Sequence, residues 1–310
     1  MIDSLRAQKI PFRIWVLCLT DKCKEMLDSL KVPEIKSFRL SQLEEDEREL
    51  LAVKANRNLS EYYFTVSPHW PNWLLNRNPE LRSITYLDAD LEFFSSPEIL
   101  FEESKKYSIA IIEHRFHPSY DVSSLFGRFN VGWIYFQNDD ESKKCLNQWK
   151  SQCLEWCKDK PEDGKFADQK YLDSWPRDFR KLLIHSHPGA NLAPWNLKSH
   201  LLSFDQKVPT VDGQPAIFYH FQLLRRDEDD LFCPTLTAYK LQPELKSEVI
   251  AKLYVPYIKK VVSKERALTD MGYEVSAFQS TRERPSLKME ASSTEARIQS
   301  GELIRINGNN

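Results

Sequence analysis

Several things are missing from this 310-residue chain, and each absence excludes something. Its six cysteines form no C-x-x-C pair and no Cys/His cluster with zinc spacing. A structural zinc site and a thioredoxin-type redox motif are therefore excluded, and reduced thiols in a cytosolic compartment are expected. Neither sign of charge dominates, with 43 Lys and Arg against 45 Asp and Glu for a formal net charge of −2. Without a strong basic field, nucleic acid is not expected as a partner. No apolar run approaches the length of a membrane span, and no signal-peptide pattern opens the chain. A soluble, cytoplasmic protein is expected, with peripheral membrane contact left open. No Gly-rich loop carrying Lys or Arg follows the first strand-like run, which argues against a nucleotidyltransferase. There is no internal repeat.

Apolar material is plentiful. Hydrophobic residues make up 41% and aromatics 12%, including 8 Trp and 17 Phe, enough for a sizeable core. The length allows one large domain or two small ones. Phe12 to Leu19 is a near-continuous apolar run, as in a strand buried on both faces. Further strand-like runs are Ser37 to Leu40, Ile84 to Leu87, Ile109 to Ile112, Val131 to Phe136, Leu182 to His185 and Ile217 to Phe221. Helical patterns lie between them: Ser41 to Ala55, Asn58 to Thr65, and a segment from Asp139 to about Cys157. On the last of these, Cys145, Trp149, Cys153 and Trp156 form an apolar stripe. Strands alternating with helices argue for an α/β domain with a mostly parallel sheet, which binds ligands at the carboxyl ends of its strands.

One such end carries the strongest chemical signal. The run Ile84 to Leu87 delivers Asp88 and Asp90, followed by a second apolar run and the turn signal Ser95-Ser96-Pro97. On an extended backbone alternate side chains share a face. Two hard oxygen ligands there suit Mg²⁺ or Mn²⁺ completed by water and substrate phosphates. The plainer alternative is a turn in which the aspartates bond backbone amides.

Four other segments join this pair. GRFNVGWIYFQND, residues 127–139, puts Asn130 and Gly132 at the mouth of a strand. Gly permits close backbone approach to a ligand and Asn offers both donor and acceptor. The plainer alternative is a tight turn. GKFADQKYLDSWP, residues 164–176, places Asp168 and Gln169 ahead of a short aromatic helix, where Asp168 could equally be a cap. HPGANLAPWN, residues 187–196, is a loop carrying Trp195, alternatively a core tryptophan. IFYHFQ, residues 217–222, ends a strand with His220, alternatively a core histidine.

In this order, LDAD, FNVG, DQ and the late His resemble the GT-A fold nucleotide-sugar glycosyltransferases. The closest likeness is to the retaining group that includes lipopolysaccharide galactosyltransferases and glycogenin. The resemblance spans about Phe12 to Arg225. It implies a Rossmann-like α/β fold and a UDP-sugar donor, with transfer to a glycan or glycolipid acceptor, with retention. It implies Asp88, Asp90 and His220 as ligands of Mn²⁺ (or Mg²⁺), with Asp88 also near the ribose. Asn130, Gly132 and Trp195 would line the donor pocket. Asp168 would hold sugar hydroxyls, and Gln169 would sit near the anomeric carbon. Lys54 and Arg57 are candidates for the diphosphate or donor sugar, or else solvated helix charges. The family's Gly/Lys pair after the late His is not matched cleanly, and Arg225 and Arg226 are the substitutes.

Residues 1–242 are expected to form the catalytic domain, 243–278 a helical segment, and 279–310 a mobile polar tail. Met1 to Gln8 reads as the end of a helix, and the family's first strand would precede Met1. Either the start is misassigned or the chain is a truncated form, and an impaired nucleotide pocket and a weakened sheet are expected. The competing readings are a non-catalytic nucleotide- or carbohydrate-binding remnant of the fold and, behind it, a nucleotidyltransferase.

Overall fold

The computed structural model describes residues 1–228, 230–275 and 293–306. The apolar runs become strands, as their β-branched and aromatic content favours. β1 (Ile14–Cys18) and β2 (Ile35–Arg39) pair in parallel. β3 (Ser83–Leu87) and β4 (Leu91–Phe93) flank the two aspartates. β5 (Ile109–Glu113), β6 (Phe129–Gln137) and β7 (Leu182–His185) join β3 in a four-stranded sheet of order β3-β6-β5-β7.

That sheet is mixed, which corrects the expectation of a mostly parallel one. β6 runs antiparallel to both of its neighbours, β3 and β5, and only β5 and β7 are parallel. The reason is the central position of β6, which is buried along all but its last residue. A strand covered on both faces reads as a continuous apolar run whichever way it points. β1 differs in the opposite sense. Despite its unbroken apolar sequence only Cys18 is fully buried, because β1 belongs to a two-stranded sheet rather than to the centre of a large one.

The helices follow their capping signals. The expected helix over 41–55 divides at Glu47 into Leu40–Asp46 and Arg48–Lys54. Helix Leu59–Val66 opens on a capping box. Asn58 Oδ1 accepts from the Glu61 N–H at 2.9 Å, and Glu61 Oε2 accepts from the Asn58 N–H at 3.0 Å. Asn58→Ala should lower stability by about 1 kcal/mol, read as a shift in the urea midpoint at unchanged m-value. Helix Asp140–Glu155 is capped by Asp139 and buries Cys145, Leu146, Trp149 and Cys153 against the main sheet. Trp156 falls at its C-cap and leaves the stripe.

The remaining strands are short. β8 (Leu202–Ser203), β9 (Thr210–Val211) and β10 (Gln214–Pro215) make a small antiparallel sheet. β11 (Phe218–His220) pairs antiparallel with β4. β12 (Arg225–Glu228), β13 (Leu231–Cys233) and β14 (Ile304–Arg305) form a three-stranded sheet.

The C-terminal half is one packed unit. Helix Pro243–Val249 passes through a π-turn, Ile250–Tyr254, into helix Val255–Asp270. Pro256, lacking an N–H, fits the loosened bonding at that junction. Tyr254, Tyr257 and Ile258 pack with Tyr219 and Phe221 in one cluster, so the packing does not break at the boundary expected after residue 242. Part of the expected tail is described. Residues 294–299 form a helix, β14 extends the sheet, and Ile304 and Ile306 enter the same cluster. Its polar composition hid three large apolar residues, Leu303, Ile304 and Ile306, that suffice to anchor it. The rest of that expectation, 279–292 and 307–310, lies outside the described residues. No described helix is long and apolar enough to cross a membrane.

Candidate active site

Two strand pairings bring the acidic pair to the late histidine. β3 ends opposite Trp133, and the Asp88 N–H donates to the Gly132 carbonyl at 3.1 Å, extending the β3–β6 ladder by one residue. β4 then pairs with β11 so that Leu91 faces His220, and the Phe221 N–H donates to the Asp90 carbonyl at 3.0 Å. His220 Nε2 consequently lies 3.1 Å from Asp90 Oδ1 and 3.6 Å from Asp88 Oδ2. One ligand atom from each residue falls within 4.8 Å of the others. Two carboxylate oxygens and one imidazole nitrogen are a donor set suited to a divalent cation, with positions left for water or phosphate oxygen. Asp88, Asp90 and His220 could therefore hold a divalent metal.

The electrostatics suit that use. Burial works against charge on Asp90, yet the charge and hydrogen bond of His220 outweigh it and hold the carboxyl below its ordinary pKa. Burial likewise opposes the His220 imidazolium, but Asp90 and then Asp88 raise its pKa. Burial, reinforced by the Asp88 charge, pushes the Tyr86 phenol far up and keeps it neutral.

Beside this corner lies a cavity of about 530 Å³. Asp88, Asn130, Asp168, Gln169 and Trp195 line it, so five of the expected donor-site residues converge there. Asp168 follows Ala167, whose φ of 46° is left-handed, and its side chain is almost fully buried. Its carbonyl accepts from Trp149 Nε1 at 2.8 Å, tying it to the helix core. The short helix Lys170–Ser174 takes Gln169, not Asp168, at its cap position. Gln169 Nε2 donates to the Phe126 carbonyl at 2.9 Å. Trp195 is buried edge-on to His220, with ring centroids 5.4 Å apart.

Other candidates from the sequence lie in different settings. Lys54 pairs with Glu44 at 2.7 Å, and Arg57 donates to the Leu154 carbonyl at 3.2 Å. Neither lines the cavity. Gly132 allows a close approach, but to protein rather than ligand: a Cβ there would lie 2.7 Å from both Asn130 Oδ1 and His220 Cε1. Arg226 is held by Glu265 at 2.6 Å, and Arg225 lies 3.8 Å from Asp227; neither lines the cavity.

No protein-family model matches the chain. It is 37% identical to the uncharacterized protein YfnF of Bacillus subtilis over 216 residues, 67% of this chain and 71% of that protein. The chain belongs to the YfnF family. A second B. subtilis protein, the uncharacterized YfnD, is 29% identical over 263 residues, covering 83% of this chain and 82% of YfnD. Among solved structures, the YfnF-family chain is similar to apo mouse xyloside xylosyltransferase 1, with 15% identity and a TM-score of 0.43 over 71% of this chain and 89% of that one. It is also similar to a glycosyltransferase involved in glycosylating the major capsid of PBCV-1, with 10% identity and a TM-score of 0.37 over 65% and 85%.

Sequence reasoning missed several residues of this YfnF-family site. His114 leaves the end of β5 and stacks on Phe116 at 4.6 Å. Phe126 meets Phe166 edge-on at 4.7 Å on the cavity wall, and Tyr63, Phe64, Tyr86 and Tyr239 complete its aromatic lining. The sequence signal for His114 is a polar residue placed directly after the apolar run Ile109 to Ile112 and Glu113, at the same kind of strand end that carries Asp88.

Proposed function

We propose that this chain is a metal-dependent glycosyltransferase. It would move a sugar from a nucleotide-diphosphate donor, UDP-linked, to a glycan or glycolipid acceptor in the cytoplasm, with retention at the anomeric centre. One observation carries the reading. The Asp88, Asp90 and His220 cluster opens beside a cavity large enough for a small ligand and lined by Asp88, Asn130, Asp168 and Gln169. The order of motifs in the sequence, with its resemblance to retaining GT-A enzymes, supports the donor class and the stereochemistry.

Each residue has a role its chemistry permits. Asp88, Asp90 and His220 would hold Mn²⁺ or Mg²⁺, which when bound supplies positive charge against the diphosphate. Asp168 accepts hydrogen bonds from sugar hydroxyls in a setting nearly free of water. Asn130 and Gln169 bring amide groups that orient the sugar ring. Trp195 excludes water from the metal corner. Gln169 is a poor nucleophile, which favours attack by the acceptor on the same face as the departing diphosphate.

The test is a panel of nucleotide sugars incubated with and without Mn²⁺, read as nucleotide release, beside a thermal-shift titration with UDP and Mn²⁺. A ligand that binds only the folded chain must raise the midpoint, by about 2.7 kcal/mol of stability at a hundredfold excess over Kd. Release that depends on Mn²⁺ supports the enzyme. A thermal shift without release supports a binding remnant, and neither effect with any nucleotide overturns both.

A further inference from the structure

We infer that the aromatic side of this cavity is an acceptor subsite for a neutral sugar joined to an apolar aglycone, an alkyl or aryl glycoside rather than a longer glycan. The inference rests on the transferase reading and goes beyond it by choosing between a glycan and a glycolipid.

The cavity is chemically divided between its depth and its rim. Asn130 and Asp168 are almost fully buried, at 2% and 4% exposed, and with Asp88 they place polar groups beside the metal corner. Phe116, Val122, Phe126, Phe166 and Leu223 line the same cavity, are half-buried, and have no polar side-chain atom. Thr235 also lines it, but its hydroxyl donates to the Leu223 carbonyl at 2.9 Å. A glycan running along this side would leave hydroxyls without partners, which costs free energy. An apolar chain there gives up no hydrogen bond and gains from leaving water.

The local structure prepares this surface. Val122, Leu125 and Phe126 stand at i, i+3 and i+4 around the short helix Ser123–Phe126, so they are neighbours on one side of the turn. Val122 and Phe126 line the cavity, while Leu125 is 50% exposed and carries the apolar surface out of it. The turn is tied down by its carbonyls. Gln169 Nε2 donates to that of Phe126 and Lys170 Nζ to that of Ser123, both at 2.9 Å. Leu223 has a φ of 64°, left-handed for a bulky side chain, and such strain persists mainly where a ligand site uses it.

Charge supplies the second half. None of the described residues lining the cavity is Lys or Arg, whereas the carboxyl-bearing Asp88 and Asp168 both line it. Cations adjoining the lining in sequence are engaged elsewhere: Arg115 donates to the His187 and Ala190 carbonyls, and Lys170 pairs with Asp173 at 2.8 Å. A donor diphosphate would be offset by the metal, but a uronate or phosphate on the acceptor would meet no cation on the lining.

The test is isothermal titration of the full chain with methyl, hexyl and 4-nitrophenyl β-galactosides and β-glucosides, each with and without UDP and Mn²⁺. For at least one sugar the hexyl glycoside should bind about tenfold or more tighter than the methyl glycoside, since each buried methylene is worth about fourfold. Phe126→Ala should remove most of that gain and leave methyl glycoside binding unchanged. Leu125→Glu, at an exposed position that the fold does not depend on, should reduce the same gain, and it decides alone if Phe126→Ala does not fold. The 4-nitrophenyl β-glucuronide should bind about tenfold or more weakly than the β-glucoside, because like charges brought together in a dry site cost at least that much. Equal binding of hexyl and methyl glycosides, or no binding of either, overturns the inference. So does a hexyl gain that survives in the folded variants, or a glucuronide bound as tightly as the glucoside. Nucleotide release is judged separately: its absence beside a hexyl gain sinks the transferase reading and leaves the subsite, and its presence without a hexyl gain sinks the subsite alone.

Discussion

Asp90→Ala is expected to lose Mn²⁺-dependent donor hydrolysis by about 10²–10³-fold, the scale on which a preorganised charge acts in a transition state. Asp90 contributes the carboxylate oxygen nearest His220, at 3.1 Å, and without it a cation would have only Asp88 and His220. The effect should be confined to the site. The Asp90 side chain is 40% exposed, and the backbone carbonyl that bonds Phe221 survives the substitution. Circular dichroism should therefore stay close to wild type, and the metal-free melting midpoint should fall only by the loss of the Asp90–His220 contact. Asp90→Asn keeps the shape but removes the charge, and should show most of the same loss. Full activity in Asp90→Ala would sink the metal-dependent reading.

The second large effect is acid destabilisation. His69 and His114 are both buried, and burial first of all pushes each pKa down to about 3. Lys150 adds to this at His69, and His220 at His114. Both are neutral in the folded chain, and in the unfolded chain they take up a proton below about pH 6.5. The unfolded state thus binds more protons between that pH and 3, and stability falls as pH falls through the window. The slope is about 1.4 kcal/mol per pH unit for each histidine, or roughly 4 kcal/mol for the pair on going from pH 7 to pH 5. Burial lowers His185 and His187 in the same direction. His220 acts oppositely, because its raised pKa stabilises the fold on the acid side and that contribution is lost as pH rises. Urea melts between pH 5 and 7 measure the sum. His69→Gln, which keeps a hydrogen-bonding group near the Thr65 carbonyl, should remove about one histidine's share of the slope. An unchanged slope in that variant would show that His69 is charged in the folded chain.

Much of the metal corner was legible in the sequence because it depends on local pattern. An apolar run ending in two alternating acids makes a strand whose carboxylates share a side, and this holds whatever the sheet does elsewhere. His220 was legible only through motif order, since its partner Asp90 comes to it by the β4–β11 ladder, a long-range pairing. Strand direction in the main sheet was not legible, because the side chains of β6 satisfy two buried faces either way. The partners of Lys54 and Arg57 were hidden for a related reason. A cation shows its charge in sequence but not its partner, and here Glu44 and the carbonyl at Leu154 take them up. Gly132 was noticed for its freedom, yet its use is the room it leaves for an imidazole that arrives much later in the chain.

The β4–β11 pairing also bears on how the chain holds together. Asp88 and Asp90 lie at one end of a long covalent excursion and His220 at the other, and the ladder between them is only three residue pairs long. A cation gripping Asp88, Asp90 and His220 would close that loop of about 130 residues as a reversible cross-link, restricting the unfolded ensemble much as a disulfide would. Chelation would then do more than silence chemistry: it would loosen the seam joining the main sheet to the C-terminal cluster, and limited proteolysis in EDTA should open the chain between the two.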